Sequence, residues 1–240
     1  FDLGPESYAL MRYDDCINLT KAAIECADRV STVSPRYAEE IQSAEYSHGL
    51  HHVLHRNAHK LCGILNGIDY DYYNPAKDEP LAKHYDRRRI ISGKRANKLA
   101  LQKEYGLPER EDVPMLAIIS RLASHKGLDL VSEIAYDIVS NNDVQFVVLG
   151  KGESRFENFF SELERAYPDK VRALLTYDRD LSKKIYAACD IFIMPSKSEP
   201  CGLSQMIASR YGAMPVVRET GGLYDSIKGY WVDNGEIKGN

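Results

Sequence analysis

The feature that most constrains this chain is a regular alternation that begins at Met115. Short apolar runs recur at Met115-Leu116-Ala117-Ile118-Ile119, at 144–149, at 171–175, at Ile191-Phe192-Ile193-Met194 and at Met214-Pro215-Val216-Val217. Between them, apolar residues fall at helical spacing: Leu128, Val131, Ile134, Ala135 and Ile138, then Phe156, Phe159, Phe160 and Leu163, then Leu181, Ile185 and Ala188. A further helix is expected over 202–211. Runs of this length separated by amphipathic helices are the pattern of βαβ units. Their lack of in/out alternation fits a parallel sheet with helices on both faces, joined by right-handed crossovers. The predicted fold class is α/β, a Rossmann-like doubly wound parallel sheet. On such sheets ligands sit in the crevice beyond the carboxyl ends of the strands.

The first part of the chain reads differently. Ile17, Thr20, Ile24 and Ala27 fit a helix, Val30-Ser31-Thr32-Val33 a short strand, and Ser34-Pro35 an N-cap followed by proline at the first helical position. One short strand between two helices cannot build its own sheet. Residues 1–58 are therefore expected to be the remnant of a second domain, and 59–240 the ligand-binding domain. With 240 residues, the chain is long for one domain and short for two. Residues 69–114, rich in Asp, Lys, Arg and Pro, read as a surface excursion with a helix near 93–105.

Composition excludes several classes. Thirty-one basic against 35 acidic residues give a formal charge of −4, so no basic excess points to nucleic acid or an anionic membrane. No apolar run is long enough to span a bilayer. Phe1-Asp2-Leu3-Gly4-Pro5 carries no signal-peptide pattern. The five cysteines, Cys16, Cys26, Cys62, Cys189 and Cys201, are odd in number and widely spaced, without C-x-x-C, which argues against a disulfide framework or a structural zinc site. A reducing cytoplasmic location is expected. His48, His51, His52, His55 and His59 would share one face of a single helix, and such spacing can ligate a metal. A polar helix face is the blander reading, and no metal site is assigned.

Three turns that follow predicted strands carry residues suited to a ligand. Ser120-Arg121-Leu122-Ala123-Ser124-His125-Lys126-Gly127 brings two cations to a strand end beside a helix start. Arg121 can grip two phosphate oxygens, and Lys126 acts as a mobile point charge. Two solvated surface cations explain the same residues. Glu199-Pro200-Cys201-Gly202-Leu203 offers a carboxylate that can accept hydrogen bonds from sugar hydroxyls and backbone N–H groups facing the crevice. Alternatively, Glu199 is an ordinary acidic residue at a helix start. Glu219-Thr220-Gly221-Gly222-Leu223 has the glycines of an anion nest. Gly150-Lys151-Gly152 lacks the third glycine of a dinucleotide fingerprint.

Taken with Thr32-Val33-Ser34-Pro35 and Gly63-Ile64-Leu65-Asn66-Gly67-Ile68-Asp69, these turns closely resemble the glycogen/starch synthases, retaining glucosyltransferases of GT-B architecture. Met206-Ile207-Ala208 and Arg218-Glu219 are similar to the bacterial branch. The resemblance implies a donor nucleotide sugar, ADP-glucose, and an α-1,4-glucan (glycogen) acceptor, with no cofactor and no metal required. By position, Arg121 and Lys126 resemble the pair holding the donor diphosphate. Tyr177 resembles the aromatic residue near adenine, and Glu199 the carboxylate near the transferred glucose. Cys201, Gly202 and Leu203 resemble the backbone that lines the glucose hydroxyls, and Thr220, Gly221 and Gly222 the phosphate nest. The leaving phosphate would help deprotonate the acceptor on the same face, retaining configuration.

Two departures accompany the resemblance. A second glutamate, common in GT-B enzymes eight positions after the first, is Ile207 here. The family's Lys-Thr-Gly-Gly-Leu donor loop and its closing helix are not found in the sequence, so the chain is expected to be a fragment, inactive alone. Other readings kept open are another GT-B glycosyltransferase and a non-catalytic nucleotide- or glucan-binding module. A dehydrogenase is the weakest of the alternatives. Neither a nucleic acid nor a membrane partner is expected, and oligomeric state is not legible.

Overall fold

The computed structural model describes residues 4–238. Internal contacts divide the chain into two compact units. The first comprises residues up to Asn66 together with Ser198–Cys201 and Thr220–Asp225, and the second Gly67–Lys197, Gly202–Glu219 and the chain from Ser226 onward. Unlike the single boundary after residue 58 expected from sequence, this division is discontinuous.

The first unit opens with helix α1 (Pro5–Met11), a tight hairpin of β1 (Arg12–Tyr13) and β2 (Cys16–Ile17), and α2 (Leu19–Cys26). Asn18 caps α2 by accepting the Lys21 N–H at 2.9 Å. Strand β3 (Val30–Thr32) leads into α3 (Pro35–Glu40). There Ser34 accepts the Tyr37 N–H at 2.9 Å and Pro35 takes the first helical position, as the sequence predicts. Helix α4 (His51–Arg56) and strand β4 (Leu61–Gly63) follow. Strand β3 is not alone: it pairs in parallel with β4, Val30 opposite Leu61 and Thr32 opposite Gly63. The three residues of β4 form too short a run to announce a strand in sequence. Ile24, Val53 and Leu54 are buried between these elements.

In the second unit the elements are α5 (Ile90–Glu104), β5 (Met115–Ile119), α6 (Leu128–Asn141), β6 (Gln145–Leu149), α7 (Ser154–Ala166), β7 (Val171–Leu174), α8 (Arg179–Ala188), β8 (Ile191–Met194), α9 (Ser204–Arg210) and β9 (Met214–Val217). Helix α10 (Gly221–Ser226), which belongs to the first unit up to Asp225, and the hairpin of β10 (Trp231–Asp233) and β11 (Glu236–Lys238) close the described chain. Among the described residues the largest sheet has five parallel strands in the order β7-β6-β5-β8-β9. This is the doubly wound α/β sheet that the alternation predicts. All five residues of β6 are buried, as two covered faces require. Edge strand β9 leaves Met214 and Val216 exposed and tolerates Pro215.

The core lies between the sheet and its helices. Leu128, Val131, Ala135 and Val139 of α6 and Phe156, Phe160 and Leu163 of α7 are buried against Ile118, Phe146 and Val148. Each of the larger side chains, Ala135 aside, contributes roughly 1.5–3 kcal/mol relative to exposure. Ile134 departs from the predicted stripe and is exposed.

Residues 69–114 are mostly exposed, as the composition suggests, and form the expected helix, yet several of their side chains are anchored in the interior. Tyr85 is buried and donates its hydroxyl to the Tyr211 carbonyl at 2.8 Å. Asp78 and Lys183 form a buried ion pair at 2.9 Å, and the Tyr211 hydroxyl also donates to Asp78. Lys94 of α5 is buried and donates to the carbonyls of Tyr186, Ala187 and Tyr211, each at 3.2 Å. Most charged residues of the segment are exposed, and the three that are buried, Asp78, Lys94 and Lys98, each meet a polar partner in the interior.

Candidate functional site

In the second unit strand order reverses beside β5: the chain moves from β5 outward to β6 and β7, then returns to place β8 on the other side. Loops leaving β5 and β8 therefore diverge, and a crevice opens at their carboxyl ends. Two contacts hold these loops together. The Lys197 N–H donates to the His125 carbonyl at 2.9 Å. Gly127 adopts φ +70°, and a Cβ there would collide with the Pro195 carbonyl. Glycine is required on both counts.

A cavity of about 690 Å³ occupies this rim. Ser120 and Arg121 line it after β5, Gly150 and Lys151 after β6, Tyr177 after β7, and Leu203 and Ser204 at the start of α9. With neighbouring strands ~4.8 Å apart, the span from β7 to β8 is roughly 14 Å. Tyr177 is 81% exposed and receives an N–H from Arg179 Nε at 3.4 Å. Tyr72, Tyr73 and Arg179 share the wall beside it, and the Lys183 ammonium lies 4.0 Å from the Tyr72 ring centroid. Burial holds the Tyr186 phenol, also in the wall, well above the usual tyrosine range. Arg121 is exposed, with Nη2 3.4 Å from His125 Nε2. The rim thus offers flat aromatic surface at the β7 side and cations at β5 and β6. That combination suits a planar ring joined to an anionic group.

Of the residues expected from sequence, Arg121, Tyr177 and Leu203 line this cavity. Lys126, in the turn Ser124–Lys126, and Gly202, at φ +70°, belong to the same unit but do not line it. Lys151, Ser204, Tyr72, Tyr73 and Arg179 were missed. Lys151 was hidden inside a turn weighed only as a dinucleotide fingerprint, and the tyrosines inside a segment assigned to the surface.

Glu199, Cys201, Thr220, Gly221 and Gly222 fall in the first unit, and all five are buried. The turn 220–222 does not present an open anion nest. Its Thr220 hydroxyl donates to Glu40 Oε2 at 3.1 Å, and its Gly221 N–H to both Glu40 oxygens at 3.0 and 3.1 Å. The Gly222 N–H donates to the Glu199 carbonyl at 3.0 Å. A carboxylate of the chain itself thus accepts from the Thr220 hydroxyl and the Gly221 N–H, two groups the resemblance assigns to a phosphate. Side chains on Gly221 or Gly222 would collide with the carbonyls of Glu199 and Cys201, so these glycines serve close backbone packing. At the other end of α3, Asp225 accepts the Ser34 hydroxyl at 2.5 Å and the Arg36 N–H at 3.0 Å.

The histidines do not share one helix. Helix α4 holds only His51, His52 and His55, while His48 has φ +48° and precedes Gly49 at φ +89°. Among the described residues no group of three or more His, Cys, Asp or Glu side chains is placed to hold a metal. Among them, too, no helix is long and apolar enough to cross a membrane.

The sequence model of glycosyl transferases group 1 matches residues 100–238, the stretch that builds the sheet and all of this cavity's lining except Tyr72 and Tyr73. The chain belongs to the glycosyl transferases group 1 family. A second model, the starch synthase catalytic domain, matches residues 2–56. Glycogen synthase from Streptococcus sanguinis is 49% identical over 241 residues, covering 100% of this chain and 50% of that protein. Glycogen synthase from Bacillus licheniformis is 48% identical over 223 residues, covering 93% and 46%. The chain therefore spans about half the length of the curated relatives it matches. Among solved structures, the catalytic domain of starch synthase IV from Arabidopsis thaliana, bound to ADP and acarbose, superposes with a TM-score of 0.85 at 41% identity, covering 97% of this chain and 47% of that one. Anabaena Alr3699/HepE, in complex with UDP and glucose, superposes at 0.57 with 18% identity over 86% of this chain, a likeness of fold alone. This group 1 glycosyl transferase thus has the α/β architecture of the GT-B enzymes.

Proposed function

We propose that this chain is the nucleotide-sugar-binding part of a glycogen synthase, a retaining hexosyltransferase that moves glucose from ADP-glucose to the end of an α-1,4-glucan. The observation that carries the reading is the meeting of Arg121, Tyr177 and Leu203 in one cavity at the carboxyl rim of the sheet. The base stacks on Tyr177 at the β7 side, and the diphosphate runs toward Arg121, with Lys126 as a second, mobile charge. The names of the relatives, and the ADP bound by the starch synthase, support this donor. Glu199 is the carboxylate assigned to the transferred glucose, and the Cys201–Leu203 backbone to its hydroxyls.

Chemically, the bond from glucosyl C1 to the diphosphate oxygen breaks and a bond to the acceptor hydroxyl oxygen forms. The hydroxyl proton passes to the departing phosphate. Negative charge grows on the diphosphate as the bond breaks, and fixed cations stabilise it there more than in the ground state. In this reading the positive charge comes from side chains, and a metal is not required.

Calorimetric titration of the chain with ADP and adenosine tests the reading. ADP should bind more tightly than adenosine, and Arg121→Ala should weaken ADP by about 1.5–3 kcal/mol, the range for a charged hydrogen bond. Equal affinity for the two ligands, or no effect of Arg121→Ala, would overturn it.

A further inference from the structure

The segment carrying Arg121 is held more firmly than a loop of its length requires. Strands β5 and β6 end at Ile119 and Leu149, yet their pairing continues beyond. The Ser120 N–H donates to the Leu149 carbonyl at 3.1 Å, the Leu122 N–H to the Lys151 carbonyl at 2.9 Å, and the Glu153 N–H to the Leu122 carbonyl at 2.7 Å. Leu122 is fully buried, and a Cβ on Gly152 would collide with its carbonyl. The glycine at 152 therefore serves to bring the two backbones together.

The side chain of Glu153 then turns back across this junction. Its carboxylate accepts the Ser124 N–H at 2.7 Å and the Ser124 hydroxyl at 2.8 and 2.9 Å. Arg155 closes the cluster, donating from Nε to Glu153 at 3.0 Å and from Nη2 to the Ser124 hydroxyl oxygen at 2.5 Å. Ser124 begins the single turn Ser124–Lys126, whose N-cap Ala123 has no capping side chain. Glu153 caps that turn from a different element. The hydrogen bonds from Ser124 hold the Glu153 carboxyl below its ordinary range, so it is an anion at neutral pH. Arg121 and Lys126 stand on either side of this fixed point.

We infer that Glu153 is a positioning residue, whose grip on Ser124 fixes the Arg121–Lys126 turn in the geometry that meets the donor diphosphate. The inference rests on the proposed role of Arg121. It assigns Glu153 no contact with the nucleotide. A clamp of this kind raises affinity by ordering the turn before the ligand arrives, so less freedom is lost on binding. Its removal should weaken the diphosphate contribution and leave the base contribution alone.

The test is the ratio of adenosine to ADP dissociation constants, measured by calorimetry on the whole chain. Glu153→Gln, which keeps the size and removes the charge, should lower that ratio on the order of tenfold, the low end for a charged hydrogen bond, with adenosine unchanged. On an Arg121→Ala background the same substitution should lower it far less, because coupled residues are not additive. Ser124→Ala, which deletes one donor and keeps the carboxylate, should move the ratio the same way by a smaller factor, and decides the matter if Glu153→Gln does not fold. An unchanged ratio, an equal loss for both ligands, or a full tenfold loss without Arg121 would overturn the inference. A wild-type ratio of one removes the donor reading itself, and the positioning role with it. A high wild-type ratio with indifferent Glu153 and Ser124 variants removes the positioning role alone.

Discussion

The Gly221 N–H donates to both carboxylate oxygens of Glu40, at 3.0 and 3.1 Å. A glycine turn that looks built for phosphate is thus satisfied by a side chain from α3. Arg36 Nε, 3.2 Å from Glu40 Oε1, balances the carboxylate's charge.

Glu40→Ala should leave the Gly221 N–H and the Thr220 hydroxyl buried without an acceptor, at about 1–3 kcal/mol for each stranded donor. Amide exchange at Gly221 is expected to accelerate accordingly, with Glu40→Gln showing a smaller change. Unaltered protection at Gly221 in the alanine variant would contradict the bonding described here.

Gly127→Ala places a methyl group against the Pro195 carbonyl at a backbone angle of φ +70°. The loss should be about 1–3 kcal/mol, the usual cost of overpacking, read as a lower urea midpoint with an unchanged slope. A wild-type midpoint would show that the β5 and β8 loops do not approach so closely.

Tyr177→Ala should weaken ADP and adenosine together by about 1–3 kcal/mol, as for loss of base stacking on an aromatic ring. Tyr177→Phe should retain most of the affinity. This differs from Arg121→Ala, which acts on ADP alone. A Tyr177 effect confined to ADP would place the base elsewhere.

Thiol reactivity should divide the cysteines. Cys16, Cys26 and Cys62 are exposed and should label rapidly at pH 8, while the buried Cys189 and Cys201 label only on unfolding. Burial pushes the Cys189 thiol up to about 11. Because the folded state favours the protonated thiol, its stabilisation is complete below the ordinary thiol range and is lost as pH rises through 11. Relative to Cys189→Ala, the wild-type chain should lose about 2–3 kcal/mol across that alkaline range. Parallel stability curves for the two proteins would refute this.

The sheet was legible because its signal is local. The runs Met115-Leu116-Ala117-Ile118-Ile119 and Ile191-Phe192-Ile193-Met194 became β5 and β8 without a change of boundary, since a strand covered on both faces must be apolar along its whole length. The Ser34-Pro35 cap was legible for the same reason. What could not be read depends on distant partners. Nothing near Glu40 in sequence announces that it will hold Gly221, 181 positions away. Lys94, inside the segment read as surface, was not legible as buried because a buried lysine is recognised only by the carbonyls it meets. Tyr72 and Tyr73 entered the cavity wall for a similar reason: a polar segment was judged by composition, while its place was decided by packing on α8.

The bond from Ser34 to Asp225 joins positions 191 apart. At ribosomal rates of about 5–20 residues per second, helix α3 waits on the order of 10–40 s for the segment that completes its surroundings. During that interval every strand of the five-stranded sheet is synthesised. Maturation of the first unit is therefore clocked by translation of the sheet that follows α3, and a stall within that stretch would leave α3 open to chaperones and proteases.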